Sequence, residues 1–208
     1  MNINSLLSQG KALPLMEEFS TIQGEGFHTG SPAHFIRIGG CDIACQWCDI
    51  KESWNEKLYP PTLTDEIISK VIENTAKTVV VTGGEPLMYK LDYLTGCLKH
   101  NGLKTHLETS GAYPLTGQWD WICLSPKKNA APLPEIYNLV NELKVIISKY
   151  EDLEWAEKNA AKVKDDCLLY LQPEWSQRKK TTPMIVEYVI ANPNWKISIQ
   201  SHKFIGIP

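Results

Sequence analysis

Seven short apolar runs, most of them separated by amphipathic stretches, confine this chain to a small set of folds. They are Ala33–Ile38, Thr78–Thr82, Lys104–Glu108, Trp121–Leu124, Glu142–Ile147, Leu168–Gln172 and Lys196–Gln200. Runs such as Val79-Val80-Val81 and Leu143–Ile147 read as parallel strands covered on both faces. The helical pattern is clearest over Thr62–Glu73, where Ile67, Ile68, Val71 and Ile72 share a face and Thr62 with Asp65 resembles a capping pair. Weaker helical patterns cover Leu91–Lys99, Glu151–Ala161 and Pro183–Ile190. Strands alternating with helices predict the α/β class: a crossover sheet, open or curled into a partial barrel. In such sheets, sites form at the carboxyl ends of the strands.

The bulk properties narrow the possibilities further. A length of 208 residues with 43% hydrophobic content suits one domain with a core of useful size. Lys plus Arg number 21 against 24 Asp plus Glu, a formal charge of -3 that predicts neither a nucleic-acid nor a membrane-surface partner. The densest basic run, Arg178-Lys179-Lys180, reads as a solvated face. No stretch approaches the roughly 20 apolar residues of a membrane span, and no basic-then-apolar leader opens the chain. A cytoplasmic location is expected, where cysteines stay reduced.

Three of the six cysteines fall within eight residues, in Gly39-Gly40-Cys41-Asp42-Ile43-Ala44-Cys45-Gln46-Trp47-Cys48-Asp49. This C-x3-C-x2-C loop directly follows a predicted strand, so Cys41, Cys45 and Cys48 can converge on one soft metal centre. A four-iron cluster normally takes four cysteines. With three, one iron stays open to a small molecule. Two other arrangements fit the same residues: a Cys3His zinc site using one of His28, His34, His100, His106 or His202, or three free thiols. Cys97, Cys123 and Cys167 each sit alone in or beside apolar sequence and read as core. A second feature is Val81-Thr82-Gly83-Gly84-Glu85-Pro86, a strand that ends in two glycines and so lets backbone approach a ligand closely. Glu85 there has the charge to complement a bound cation.

Together these motifs resemble the radical S-adenosylmethionine superfamily, which uses the same cysteine spacing with an aromatic residue, here Trp47, before the last cysteine. Within it the chain resembles the 7-carboxy-7-deazaguanine synthase family from about Glu17 onward. The residues that carry this likeness are Phe19–Gly26, Phe35-Ile36-Arg37-Ile38, Leu107–Gly111, Leu124-Ser125-Pro126-Lys127, Glu142-Leu143-Lys144, Leu171-Gln172-Pro173-Glu174, Ser201-His202-Lys203 and the terminal Gly206-Ile207-Pro208.

The resemblance implies a partial, TIM-like β/α barrel as a single domain over 1-208, with 1-32 as an extension bearing a substrate-contacting loop and 33-208 as barrel and tail. It implies a [4Fe-4S] cluster on Cys41, Cys45 and Cys48, with S-adenosylmethionine on the open iron, yielding a 5′-deoxyadenosyl radical. The implied reaction turns 6-carboxy-5,6,7,8-tetrahydropterin into 7-carboxy-7-deazaguanine, with loss of ammonia, for queuosine and 7-deazapurine synthesis. Hydrogen leaves C6, the ring contracts, and the hydrogen returns.

By the same likeness Ile22, Gln23, Gly24, Arg37, Thr82 and Pro208 contact the substrate. Arg37 clamps its carboxylate with a planar fork, and Pro208 offers the C-terminal carboxylate to the pterin edge, anchored by the strand Lys196–Gln200. Read without the family, Arg37 is a buried ion-pair partner of Glu17 or Glu25, and Pro208 a frayed end. His202 and Lys203 line the pocket or lie on the surface. Trp47, Cys48, Asp49, Gly84, Ser125, Pro126, Lys127, Gln172, Pro173, Glu174 and Trp175 match positions that hold S-adenosylmethionine. Partners implied are a flavodoxin or ferredoxin as electron donor and a second copy in a homodimer.

One position departs from the pattern. Relatives carry a Thr or Ser hydroxyl after Cys-Asp that reaches a Mg2+ ion on the substrate, and this chain has Ile50. Isoleucine cannot ligate a cation, so Mg2+ either rests on substrate oxygens, Asp49, backbone carbonyls and water, or matters less here. Two other functions share part of the pattern: an activase that makes a glycyl radical on a partner protein, and a non-enzymatic iron–sulfur or zinc module.

Overall fold

The structure, a computed structural model, describes residues 2–208. Its strands are β1 (Ala12–Ile22), β2 (Pro32–Ile38), β3 (Pro61–Leu63), β4 (Thr78–Gly83), β5 (Lys104–Thr109), β6 (Trp121–Leu124), β7 (Glu142–Ile147), β8 (Leu168–Pro173) and β9 (Trp195–Ile197). The helices are α1 (Ile3–Ser8), α2 (Thr64–Ile72), α3 (Asp92–His100), α4 (Glu151–Ala160), α5 (Arg178–Ala191) and α6 (Ser201–Ile205). One sheet takes all the strands in the order β3-β1-β2-β4-β5-β6-β7-β8-β9. From β2 to β9 the neighbours run parallel, while β1 pairs antiparallel with both β2 and β3. The sheet keeps two edges, β3 and β9, so the barrel is incomplete.

Side chains alternate between the two faces of each strand, and the two faces differ here. Ile36 and Ile38, Val79 and Val81, Leu143, Val145 and Ile147 join one apolar core with Ile67 and Val71 of α2, Leu94 and Leu98 of α3, Leu153 of α4 and Ile185 of α5. The intervening residues Arg37, Thr82, Glu108, Lys144, Ile146 and Gln172 line cavities. The Leu143–Ile147 run is therefore not apolar on both sides. Its Lys144, with Glu142 before it, belongs to a polar face that a barrel interior can accommodate and a doubly covered flat sheet cannot.

Four local expectations change. The Thr62–Asp65 cap does not form: α2 starts at Thr64, Leu63 precedes it without a side-chain bond, and the Thr64 hydroxyl donates to the Gly10 carbonyl at 2.8 Å. Ile72 is exposed rather than on the buried face. Helix α5 begins at Arg178 and runs through Pro183, where the ring removes a single bond near the amino end. Strand β9 ends at Ile197, although Ser198 N–H still donates to the Leu171 carbonyl of β8 at 2.9 Å; beyond it the Ser198 hydroxyl donates to Gln172 Oε1 at 2.7 Å and the Gln200 amide to Glu25 and Asp49.

Candidate active site

The cysteine loop leaves β2 at Ile38 and is pinned from two sides. Gly39 N–H donates to the Pro14 carbonyl at 2.8 Å and Gly40 N–H to the Ser53 carbonyl at 2.6 Å. The end of β4 continues alongside: Gly84 N–H donates to the Ile38 carbonyl and Glu85 N–H to the Gly40 carbonyl, at 2.8 and 2.9 Å. This contact requires glycine twice. Gly83 has φ 128, and a Cβ on Gly84 would collide with the Gly40 carbonyl and crowd the Cys41 side chain. A turn closed by Cys48 N–H to the Cys45 carbonyl at 3.1 Å brings the cysteines to one side. Ala44, between them, holds φ 52, the one left-handed non-glycine among the described residues.

Cys41, Cys45 and Cys48 all line one cavity of about 220 Å³, with Trp47, Gly84, Ser125, Lys127 and Gln172 in its walls. Burial raises the Cys41 and Cys45 thiols above the usual thiol range, so the bare loop holds protons that a cluster must displace. Lys127 projects beside them. Its Nζ donates to the Ser125 carbonyl and hydroxyl at 2.8 and 2.6 Å and sits 5.2 Å from the Trp47 ring centre. Burial lowers its pKa. A cation facing three thiolates fits an anionic cluster and a ligand carboxylate.

Among the described residues no histidine lines this cavity, which removes the Cys3His reading. Among the described residues no three His, Cys, Asp or Glu side chains gather around a single ion. Three thiols spread along a cavity wall fit a multi-iron cluster, in which each binds its own iron, and the glycine pair gives a ligand room beside them. Glu85 is not available to a cation. Its carboxylate accepts from Thr109 Oγ1 at 2.6 Å, Ser110 N–H at 2.8 Å, Ser110 Oγ at 2.5 Å and Leu87 N–H at 3.0 Å. It ties the end of β4 to that of β5.

A second cavity of about 390 Å³ adjoins the first. Ile22, Gln23, Gly24, Arg37, Thr82 and Pro208 all line it, with His202 and Lys203. Arg37 has its Nε 3.0 Å from Glu17 Oε1 and lies over the Phe19 ring at 5.4 Å, yet that buried Nε has no hydrogen-bond partner among the described residues. Six residues border both cavities: Glu25, Asp49, Ile50, Thr82, Glu108 and Gln200. The two spaces are halves of one site.

A charged network at this junction escaped the sequence reading. Lys144 Nζ lies 2.6 Å from Glu25 Oε2 and 2.9 Å from Glu108 Oε2. The Gln200 amide donates to Glu25 at 2.8 Å and Asp49 at 2.9 Å, and Gln23 donates to Glu108 at 3.3 Å. The available signal was Glu142 and Lys144 at a two-residue interval inside an apolar run. Pro126, Pro173, Glu174 and Trp175 are not brought to either cavity wall. Pro126 and Pro173 are buried, Glu174 caps the turn at Ser176 and Gln177, and Trp175 packs under Arg178, Lys203 and Phe204. Arg178 is thus stacked at 3.8 Å from that ring centre, not merely solvated.

Residues 35–123 match the profile of the radical SAM superfamily. A 7-carboxy-7-deazaguanine synthase of Flavobacterium psychrophilum is 56% identical over 206 residues, covering 99% of this chain and 98% of the relative. The chain belongs to the 7-carboxy-7-deazaguanine synthase family. The Synechocystis sp. synthase is 48% identical across 93% of both chains, and that of Escherichia coli K12 is 34% identical across 93% of this chain and 98% of its own. The crystal structure of QueE from Escherichia coli superposes with a TM-score of 0.82 at 31% identity, covering 97% of this chain and 99% of that one. The protein is therefore a radical SAM enzyme with a partial barrel, and membership implies a four-iron cluster and S-adenosylmethionine. Neither the activase nor the binding module is needed to account for the motifs. Among the described residues no helix is long and apolar enough to cross a membrane.

Proposed function

We propose that this enzyme converts 6-carboxy-5,6,7,8-tetrahydropterin to 7-carboxy-7-deazaguanine and ammonia, as its relatives' names indicate for the product. The observation that carries this reading is the shared border of the two cavities: Arg37 and Gln23 line the half that adjoins the thiol-lined one, and Thr82 and Asp49 belong to both. When bound, S-adenosylmethionine on a cluster held by Cys41, Cys45 and Cys48 supplies a radical that removes and later returns one substrate hydrogen.

The chain's own residues bind and orient. Arg37 offers a carboxylate a fork whose charge Glu17 only partly offsets. Ile22, Gln23, Gly24 and Thr82 line the pterin's place, and the carboxylate of Pro208 takes adjacent N–H donors of its edge. Trp47, Cys48, Asp49, Gly84, Ser125, Lys127 and Gln172 surround the cofactor. Pro126, Pro173, Glu174 and Trp175 support those strand ends from outside the cavity wall. Residues 1-32 serve as the extension that brings Gln23–Glu25 to a barrel and tail formed by 33-208. A flavodoxin or ferredoxin supplies the electron, two copies pair, and the enzyme works in the cytoplasm on queuosine and 7-deazapurine synthesis.

The test is an anaerobic assay with reconstituted protein, reductant, S-adenosylmethionine and the pterin. Equal amounts of 7-carboxy-7-deazaguanine and ammonia are expected. Cofactor cleavage without that product rejects the substrate while keeping the superfamily chemistry. Residues appended after Pro208 should raise KM, and unchanged turnover and affinity reject the role of its carboxylate.

A further inference from the structure

The junction of the two cavities is where the family pattern puts a magnesium ion, and the donor set there does not fit one. Ile50 borders both cavities and presents only hydrocarbon, whereas Mg2+ demands oxygen ligands in near-octahedral array. Each junction carboxylate already has a protein cation or amide on it. Asp49 Oδ2 is 2.6 Å from Lys203 Nζ and 2.9 Å from the Gln200 amide. Glu25 and Glu108 share the Lys144 ammonium, at 2.6 and 2.9 Å. The Asp49 oxygen that Gln200 also holds is thus already neutralised by an ammonium.

That ammonium is itself held in place. Ser201 ties the start of α6 to the Gly24 carbonyl through its N–H at 2.9 Å and its hydroxyl at 3.0 Å. Two residues on, Lys203 Nζ lies between the Asp49 carboxylate and the Trp175 ring, 4.8 Å from its centre. Lys203 also lines the larger cavity with Arg37 and Pro208.

We propose that this chain binds no divalent ion at the junction and that the Lys203 ammonium, held by Asp49, is the cation that meets the substrate there. The proposal rests on the pterin reading above for what the cation meets, and on the donor set alone for the missing metal. An ammonium contributes positive charge and three N–H donors but no Lewis acidity. Its task is therefore to hold an oxygen of the substrate, not to polarise one as a metal does.

The test uses the cluster-loaded enzyme with S-adenosylmethionine, stripped with EDTA, with and without the carboxylated pterin. Mn2+ is the probe, read by electron paramagnetic resonance. Only the free-ion signal is expected from the wild type in both states, and turnover should not change when Mg2+ is returned. The Ile50→Thr/Lys203→Met double variant, with a hydroxyl gained and the ammonium gone, should bind Mn2+. Lys203→Met alone should lose about ten- to hundredfold in kcat/KM, as expected for one charge-assisted bond, and Lys203→Arg should recover most of it. Iron content and the visible absorbance of the reconstituted cluster should be those of the wild type in Lys203→Met, which shows that the protein is folded and loaded. One Mn2+ bound per wild-type chain in either state overturns the proposal, as does wild-type kcat/KM in Lys203→Met. A failure of the pterin reading looks different: no product under any metal condition, with the Mn2+ result on the wild type still deciding whether a metal binds. If Lys203→Met does not fold, that wild-type result stands alone.

Discussion

Lys144 Nζ lies 2.6 Å from Glu25 Oε2 and thereby joins the middle of β7 to the loop after β1, across the barrel interior. The lysine side chain is 5% exposed and also meets Glu108 on β5 at 2.9 Å. Burial alone would favour a neutral Glu25. The charge of Lys144, its hydrogen bond and that of Gln200 outweigh burial and bring the carboxyl down to about 2. The same carboxylates hold the Lys144 ammonium well above its ordinary range against burial. The triad fixes the loop that carries Gln23 and Gly24.

Removing the shared cation leaves two half-buried carboxylates with no cation between them. Lys144→Met should therefore lose about 3–5 kcal/mol of stability, the usual cost of breaking a buried pair from one side. Adding Glu25→Gln to it should recover part of that loss, because one unpaired charge disappears. Thermal denaturation of the apo proteins checks both. An unchanged melting temperature in Lys144→Met contradicts the arrangement.

Acid should act on the same carboxyl. Glu25 titrates near 4.5 when unfolded and at about 2 when folded, so its contribution is complete above the unfolded value. It falls away as the pH drops from about 4.5 toward 2. Glu25→Gln should show a shallower loss of stability over that window, read from urea midpoints against pH.

Glu142 should give the opposite sign. Burial raises its carboxyl to about 7, against the lowering effect of Lys144 and of hydrogen bonds from Phe27 N–H and Trp121 Nε1, with Glu108 adding to the rise. Cys123 Sγ is its other polar neighbour, at 3.7 Å. The folded state binds this proton more tightly than the unfolded chain, so stability falls as the pH rises from about 4.5 to 7. Glu142→Gln should thus be more stabilising, or less destabilising, at pH 8 than at pH 5. Melting temperatures at the two values decide it, and an equal difference at both contradicts the assignment.

Gly84→Ala should uncouple the cluster loop from β4. The added Cβ meets the Gly40 carbonyl and the Cys41 side chain, so iron bound per chain after reconstitution should drop severalfold while far-ultraviolet circular dichroism is retained. Gly96→Ala is the control: its Cβ has open space within α3, and helix propensity predicts a gain of about 0.5–1 kcal/mol. Full iron loading in Gly84→Ala contradicts the role given to that contact.

The parallel strands were legible because packing under helices leaves Val79, Val81, Leu143 and Val145 apolar. Strand β1 was not: Pro14, Glu17 and Glu18 interrupt its alternation, and its register with β2 shifts between Leu15 and Glu17. The short β3 and α6 carry no periodicity of their own, and tertiary contacts such as Ser201 to Gly24 hold them. The cysteine loop and the glycine pair were legible because their chemistry demands fixed residues at fixed spacing. The Glu25–Lys144–Glu108 triad was not, since its members lie far apart in sequence and only the tertiary fold brings them together. For the same reason Lys203 gained its place beside Asp49 only from the structure.

The central claim is that this site moves a hydrogen atom between a carboxylated tetrahydropterin and S-adenosylmethionine. A substrate carrying deuterium at C6 tests it most directly, with S-adenosylmethionine and product recovered after anaerobic turnover. The account predicts deuterium at C5′ of the recovered S-adenosylmethionine and none on carbon in 7-carboxy-7-deazaguanine, whose C7 bears the carboxylate and no hydrogen. Product formed with an unlabelled cofactor, or label lost wholly to solvent, contradicts it.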